Sequence, residues 1–175
     1  MKICIVSDSH DRAEPLAAAV SQAKAAGAQA VIHCGDLIGA NTLRASIRLG
    51  VSLHVVHGNN LGDAMTMHKM MSKSGGMLTY YGQDAELELG GRRIFATHFP
   101  HYGRGIACTG DYELVCCGHS HVAEIIQQPN IKGGKTLLVN PGSVSGIGAP
   151  NVAEAHTWIL GDLSAMTFEI QTLKY

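Results

Sequence analysis

Blocks of apolar residues alternate with mixed polar segments along the first third of the chain. Residues 2–7, 30–34 and 51–56 are mostly apolar, which is typical of strands buried on both faces of a parallel sheet. The intervening segments 13–26 and 41–49 have the length and composition of helices. This strand–helix–strand–helix–strand order predicts right-handed crossovers and a parallel sheet.

Residues with special backbone preferences mark the ends of the two helices. Pro15 fits a first helical turn, and Asn41 is a candidate N-cap for the second helix, because proline and short polar residues favour those positions. Gly27 and Gly50 are suited to end the helices, since glycine readily adopts the left-handed conformation found there.

The next segment, residues 62–73, predicts a third helix that is rich in methionine. Its methionines are Met65, Met67, Met70 and Met71. Flexible methionine side chains commonly fill irregular gaps in cores, so packing against the sheet is the favoured interpretation. An exposed surface for a partner is the alternative.

The second half of the chain is mainly β. Short apolar or alternating runs separated by glycine-containing turns predict strands at 77–81, 85–89, 92–97, 113–117, 122–127, 136–140, 154–160 and 165–172. Two mixed sheets packed face to face, with helices outside, would bury these surfaces. We therefore expect an α/β (α+β) fold, a four-layer αββα sandwich, with residues 1–175 in a single domain that has no linker or repeat.

Composition narrows the classes of function. The chain has 175 residues, 46% of them hydrophobic, and a net charge of −1, so it resembles a compact domain and lacks the basic field that attracts nucleic acid. No signal peptide or membrane span is expected. The five cysteines lie mostly in apolar strands, which favours buried thiols and a cytoplasmic location.

Polar groups with ligand chemistry follow five of the apolar runs. Carboxylate, imidazole and amide groups occur in Asp8-Ser9-His10, Gly35-Asp36, Gly58-Asn59-Asn60, Thr97-His98 and Gly118-His119-Ser120-His121. Ligands bind beyond the carboxyl ends of strands in open α/β sheets. Oxygen and imidazole donors without thiolates suit a site for two divalent cations.

These motifs, in this order, resemble the calcineurin-like metallophosphoesterase superfamily, in particular its small bacterial and archaeal phosphodiesterase branch. The stretch Asn140-Pro141-Gly142-Ser143 also resembles that branch. The resemblance spans nearly the whole chain. It implies the αββα fold and two metal ions bridged by one aspartate. The implied ligands are Asp8, His10, Asp36 and His121 for the first metal, and Asp36, Asn59, His98 and His119 for the second.

The same resemblance implies hydrolysis of a small phosphoester by a water molecule between the two metals, with a diester favoured over a monoester. Asp36, Asn59 and His119 are then the candidate catalytic residues. Manganese is the favoured metal, and this donor set also accepts Fe, Zn, Ni, Co or Mg. A small phosphoester is the expected partner, and homo-oligomerisation is left open.

Two departures from the superfamily pattern concern substrate contacts. Asn60 stands where many members have a histidine that assists the leaving group. The segment His98-Phe99-Pro100-His101 separates by two residues a pair of histidines that the family separates by one glycine. Asn60, His101 and Arg12 are the candidate substrate-binding residues. Arg12 is included because a guanidinium matches phosphate geometry.

Other interpretations remain open at this point. The superfamily includes a non-catalytic scaffold subunit of the retromer complex, and a nuclease is a third alternative. Asp8 and Asp36 could instead cap helices. Among the other histidines, His33 and His54 favour a role in the core or in support of ligands, while His57 could orient the turn that follows it.

Overall fold

The computed structural model describes residues 1–173, and within them two sheets pack face to face. The first sheet has the strand order β11-β10-β1-β2-β3-β4 and the second has the order β5-β6-β7-β9-β8. The strands are β1 (Lys2–Val6), β2 (Ala28–Cys34), β3 (Ser52–Val56), β4 (Leu78–Gly82), β5 (Ala85–Leu89), β6 (Arg92–Ala96), β7 (Leu114–Cys116), β8 (Ala123–Pro129), β9 (Lys135–Pro141), β10 (Thr157–Asp162) and β11 (Thr167–Thr172).

Helices cover the outer faces of both sheets. They are α1 (Ala13–Ala25), a 3₁₀ turn (Ala40–Leu43) that runs into α2 (Arg44–Ile47), α3 (Ala64–Lys73) and α4 (Pro100–Thr109). Helices α1 and α3 pack on the first sheet, and α4 packs on the second. In the described part of the chain, no helix is long and apolar enough to cross a membrane.

Both sheets are mixed, as predicted. Strands β1 to β4 are parallel, and β10 joins β1 in antiparallel register, with Ile3 opposite Gly161. In the second sheet β6, β7 and β9 are parallel, while β5 and β8 are antiparallel edge strands. The loops that carry the predicted polar motifs therefore follow the carboxyl ends of parallel strands in both sheets.

Side-chain alternation along β1 shows how the layers form. Ile3 and Ile5 belong to the apolar cluster between the two sheets, while Cys4 and Val6 belong to the cluster under α1. All four side chains are fully buried. A strand that is apolar on both faces thus lies inside a four-layer αββα sandwich, which confirms the predicted fold class.

Helix α4 is the main element that the sequence pattern did not predict. It has Pro100 in its first turn and contains Gly103 and Gly105, and two glycines weaken the helical signal. Gly103 lies against β7, where an added Cβ would be 3.3 Å from the Cβ of Cys117. The glycine therefore permits close packing of the helix on the sheet.

Smaller differences concern element boundaries. The helix predicted at 41–49 is a 3₁₀ turn and one helical turn, and Asn41 is not its cap, since its Oδ1 accepts a hydrogen bond from Arg44 Nε at 2.7 Å. The strand predicted at 154–160 begins only at Thr157. In α3, Met67 is buried, whereas Met65 is 63% exposed. Met70 and Met71 pack against the core, so three of the four methionines serve in packing.

Candidate metal centre

The carboxyl ends of β1, β2, β3, β6 and β7 meet at one edge of the sandwich and bring the predicted ligands together. Most of these ligands have a left-handed backbone conformation, with φ of 56° at Asp8, 43° at His10, 52° at Asp36, 68° at His119 and 59° at His121. Such conformations are uncommon outside glycine, and they concentrate at functional sites. The turns therefore hold strained backbone that aims these side chains inward.

Asp36 is at the middle of the cluster, and its two carboxylate oxygens face different histidines. Oδ1 is 3.3 Å from His98 Nε2, and Oδ2 is 3.8 Å from His10 Nε2. The backbone N–H of Asn60 donates to Oδ1 at 2.9 Å, and the Asn60 side-chain amide donates to Oδ2. The buried carboxylate is thus fixed with one oxygen toward each of two nitrogen donors.

Asp8, His10 and His121 form one compact group on the Oδ2 side of Asp36. Their ligand atoms lie within 4.8 Å of one another, with Asp8 Oδ1 3.2 Å from His121 Nε2. A second group of the same compactness combines Asp8, Asp36 and His98. Asn59 adjoins the second group, because its Oδ1 is 3.0 Å from His98 Nε2.

Hydrogen bonds to backbone carbonyls fix which ring nitrogens carry lone pairs. His98 Nδ1 lies 2.8 Å from the carbonyl oxygen of Cys34, and His121 Nδ1 lies 2.7 Å from that of Ile147. Since a carbonyl oxygen only accepts, both Nδ1 atoms must donate. In the neutral rings Nε2 is therefore an acceptor aimed into the cluster, the tautomer that a metal ligand requires.

With the rings in these neutral tautomers, hydrogen-bond acceptors of the cluster face one another. Nε2 of His98 faces oxygens of Asp36 and Asn59. Oδ1 of Asp8 is buried and, among the described residues, has no hydrogen-bond partner of good geometry. Such groups are costly unless a positive charge lies between them, supplied by protons or by metal ions. The residues present therefore fit divalent cations.

The same contacts shift the pKa values of three of these side chains in the metal-free protein. Burial acts to raise the pKa of Asp8, but interactions with His121 and Ser7 outweigh it and lower the pKa below its usual value. The interaction with Asp8 raises the pKa of His121, although burial opposes that shift. Partial burial, together with the nearby His98, lowers the pKa of His119.

His119 lies at the exposed side of the cluster. Its backbone N–H donates to Asp8 Oδ2 at 3.0 Å, and its ring centroid is 5.1 Å from that of His98 and 5.0 Å from that of Phe99. It is outside the two compact groups. Its ring therefore borders the space in front of His98, where it is reached from solvent.

His33 supports the turn that carries two of the ligands. It is fully buried, and Gly35 N donates to its Nδ1 at 3.2 Å, so Nε2 carries the proton and donates to Ser9 Oγ at 3.0 Å. Ser9 lies between Asp8 and His10 in sequence. Burial lowers the pKa of His33 to about 4, so the ring is neutral at pH 7, which agrees with its predicted supporting role.

The segment that begins at Asn140 braces the histidine turn. Its side-chain amide donates to the carbonyl of Gly118 at 2.8 Å and to Ser120 Oγ at 3.0 Å, and Ser143 Oγ donates to the carbonyl of Asp8 at 3.2 Å. The amide of Gly142 donates within the segment, to Asn140 Oδ1. These bonds give the segment a structural role, because they hold the histidine turn and the Asp8 turn together.

Two glycines allow the loops to approach one another. An added Cβ at Gly58 would lie 2.1 Å from Asp36 Oδ1, and one at Gly118 would lie 2.0 Å from Ser7 Oγ. Neither contact can be accommodated without movement of the cluster. The glycines in these two motifs are therefore required by close packing around the carboxylates.

The three predicted substrate residues lie in different surroundings. Asn60 is exposed, but its amide is bound to Asp36. Arg12 is exposed, and its Nη1 donates to the carbonyl of Ser145 at 2.9 Å. His101 is exposed in the first turn of α4, with its ring centroid 5.6 Å from that of Phe99. The structure thus brings six of the seven predicted ligands into contact, with His119 at their exposed side. Of the three predicted substrate residues, Asn60 contacts the cluster through Asp36, and Arg12 and His101 have other partners.

Other polar residues have structural partners. His57 Nδ1 is 2.8 Å from the Tyr80 hydroxyl, and His54 Nδ1 is 2.8 Å from that of Tyr81. Burial lowers the pKa of both histidines. The alternative in which the two aspartates cap helices is wrong. The N-cap of α1 is Arg12, and the N-caps of the 3₁₀ turn and of α2 are Gly39 and Leu43.

Sequence reasoning missed the backbone carbonyls of Cys34 and Ile147, which orient the rings of His98 and His121. Carbonyl groups carry no sequence signal. It also missed the contacts of Phe99 with His98 and His119, at centroid distances of 5.1 and 5.0 Å. The departure from the family spacing at that position was the available clue.

Two packed mixed sheets thus bring together, at one edge, groups of side chains that could hold a metal ion. The family model of the calcineurin-like phosphoesterase superfamily domain matches residues 1–167, which makes the chain a metal-dependent phosphoesterase hydrolase. The chain therefore belongs to the calcineurin-like phosphoesterase superfamily, which confirms the resemblance drawn from the motifs.

Comparison with individual proteins agrees with this membership. Phosphodiesterase MJ0936 of Methanocaldococcus jannaschii is 25% identical over 148 residues, which cover 83% of this chain and 86% of the relative. The solved structure of an archaeal phosphodiesterase has a TM-score of 0.82 at 22% identity, covering 99% of this chain and 100% of that one. Zinc-bound Vps29 of Entamoeba histolytica has a TM-score of 0.61 at 17% identity, covering 99% and 98%. These two structures show the shared fold.

Proposed function

We propose that the chain hydrolyses a small phosphodiester and that it does so with two divalent cations, preferably manganese. Asp8, His10, Asp36 and His121 would hold one ion, and Asp36, Asn59, His98 and His119 the other. The observation that supports this proposal is the convergence of these side chains from five separate turns, which follow β1, β2, β3, β6 and β7. In particular, one oxygen of Asp36 faces His10 and the other faces His98.

When bound, a pair of divalent cations activates water as a nucleophile at neutral pH and neutralises the phosphoryl oxygens during displacement. The protein's contribution is to fix the donors and the charge. Asp8 and Asp36 together offset only part of the charge of two divalent ions, so the site retains positive charge for an anionic phosphoester. Buried carbonyl partners keep His98 and His121 in the tautomer that presents a lone pair.

Neither Asn60 nor His57 is placed to protonate the leaving group. Asn60 has no titratable proton and is bound to Asp36. His57 is engaged with Tyr80. Since general acid catalysis contributes about 10²–10⁴-fold, the site favours substrates whose leaving groups have a low pKa. A phosphodiester with a phenolic leaving group meets this requirement.

The test measures hydrolysis of bis(p-nitrophenyl) phosphate by protein loaded with Mn²⁺. We expect Asp36→Ala and His119→Ala each to lower kcat/KM by at least about a hundredfold, because both remove groups that hold the ions. His68→Ala is the matched control, since His68 is exposed on α3 and its ring contacts Tyr80. Full activity after complete metal removal, or in Asp36→Ala, would contradict the proposal.

A further inference from the structure

A basic groove lies between α2 and α3, on the surface of the first sheet's helical layer. Its cavity measures about 390 Å³. Its walls present four cationic side chains above two apolar ones, and no carboxylate lines it: Arg44, Arg48, Lys69 and Lys73 are the cations, and Ile47 and Met70 are apolar. Both apolar residues pack on the core beneath.

The cations of the basic groove lie in an unfavourable arrangement. Lys69 and Lys73 are four residues apart on α3, and like charges at this spacing destabilise a helix. Arg44 and Arg48 have the same spacing, at the first residue and the C-cap of α2. Among residues 1–173, Arg44 Nε donates to Asn41 Oδ1, and Lys69 interacts electrostatically with Asp63. Within the same residues, the side chains of Arg48 and Lys73 have no hydrogen-bond or ion-pair partner. The helix dipole accounts for a single cation near each carboxyl end. It does not account for four cations around one cavity.

We propose that the basic groove binds a small molecule that carries two or more phosphate groups. Two guanidinium groups and two ammonium groups match the charge and geometry of such a ligand. The cavity has the volume of a typical small-molecule site, and Ile47 and Met70 offer an apolar floor for a non-phosphate portion. The whole chain has a net charge of −1, so the surface outside the groove is net negative. This favours a compact polyanion over an extended nucleic acid.

The experiment is calorimetric titration of the full chain with tripolyphosphate and with ATP, both without magnesium. The double variant Arg48→Gln/Lys69→Gln should weaken binding at least tenfold. The control double variant Arg93→Gln/Lys132→Gln removes the same charge from exposed positions, where these residues pair with Glu113 and Asp111. The control should bind within twofold of the unmodified protein.

Three results would overturn the assignment of the basic groove. These are absence of binding by either probe at millimolar concentration, equal weakening in both double variants, and binding that is lost in Asp36→Ala but kept in Arg48→Gln/Lys69→Gln. The last result would place the probes in the metal centre. Binding to vesicles that contain a phosphorylated inositol lipid, without binding of either free probe, would identify a membrane surface and would also contradict a small-molecule site.

A second inference concerns the rim of the metal centre and rests on the proposed function. Aromatic rings extend outward from the ligands in a continuous series. The Phe99 ring is 5.1 Å from the ring of His98 and 6.0 Å from that of Tyr102, and Tyr102 is 4.4 Å from His101. Tyr102 is 52% exposed. We refer to Phe99, His101 and Tyr102 as the aromatic rim.

The geometry points to the aromatic rim as a stacking surface for the nucleobase of a nucleotide phosphoester. Its ring faces begin beside His98 and His119, so a phosphoester at the metal centre would place an attached planar group within reach. Stacking on aromatic side chains contributes substantially to affinity, and it does not depend on which base is bound, because every base has a flat aromatic face. The insertion of Phe99 and Pro100 between the two histidines supplies the ring and starts α4.

The test compares AMP with ribose 5-phosphate as competitive inhibitors, because these ligands differ only in the nucleobase. We expect AMP to bind at least tenfold more tightly to the unmodified protein. Phe99→Leu/Tyr102→Leu should bring this ratio to within about threefold, while Tyr102→Phe should retain it. A ratio near one in the unmodified protein, or one unaffected by loss of both rings, contradicts the stacking surface. If the protein hydrolyses no phosphodiester, the proposed function is contradicted instead. The ratio of the affinities for AMP and ribose 5-phosphate is then measured by calorimetry, which needs no activity.

Discussion

The buried imidazole of His33 makes the stability of the fold depend on pH. The ring is enclosed completely, and both nitrogens are used, one accepting from Gly35 N and the other donating to Ser9 Oγ. Burial lowers its pKa from 6.5 to about 4 in the folded protein. The folded state therefore keeps the ring neutral under conditions in which the unfolded chain binds a proton.

The sign and size of the effect follow from this difference. Between pH 6.5 and pH 4 the unfolded state binds more protons, so the free energy of unfolding decreases as the pH falls. The shift from 6.5 to about 4 corresponds to about 3 kcal/mol in full, at about 1.36 kcal/mol per pKa unit. From pH 7 to pH 5, two-state linkage gives a loss of about 2 kcal/mol.

Urea unfolding of metal-free protein at pH 7 and pH 5 measures this contribution against His33→Gln, which has no titrating ring. The stability of the unmodified protein relative to the variant should fall by about 2 kcal/mol over this interval. His68→Gln, at an exposed position, should show the pH dependence of the unmodified protein. Equal pH dependence in the unmodified protein and His33→Gln would refute the reasoning.

Three further predictions test the packing and polarity of the site. Gly58→Ala should lower phosphodiesterase activity at least about a hundredfold, because the added Cβ would lie 2.1 Å from Asp36 Oδ1 and 2.8 Å from His98 Cδ2. An unaffected kcat/KM would contradict this close packing around Asp36. Asn60→Ala should weaken metal affinity about tenfold or more in a competition titration with a chelating dye, because it removes an amide donor to Asp36; unchanged affinity contradicts the supporting role. In the folded protein, thiol titration should label Cys108 first, because the other four cysteines are buried; rapid labelling of several thiols would contradict this burial.

The parallel part of the fold was predictable because its signals are local. Strands that are apolar on both faces, such as Lys2–Val6 and Ala28–Cys34, alternate with helices and end at polar motifs. Helix α4 was not predictable in this way, since Gly103 and Gly105 obscure the helical signal. The pairing of β10 with β1 joins residues far apart in sequence, and no local pattern specifies such a partner.

The candidate ligands could be named from sequence because five motifs coincide with strand ends. What the sequence did not contain is the set of contacts that orient them. The carbonyl of Ile147 fixes the His121 ring, and the amide of Asn60 fixes Asp36. The first contact involves backbone, and the second depends on two loops meeting. Both arise only when the complete chain has folded.

Anomalous diffraction from crystals grown with Mn²⁺ shows how many ions bind and which residues hold them. We expect two manganese peaks about 3.5–4 Å apart, both within bonding distance of Asp36. One should be bound by Asp8, His10 and His121, and the other by Asn59, His98 and His119. A single peak, or ions bound away from Asp36, would contradict a dinuclear centre.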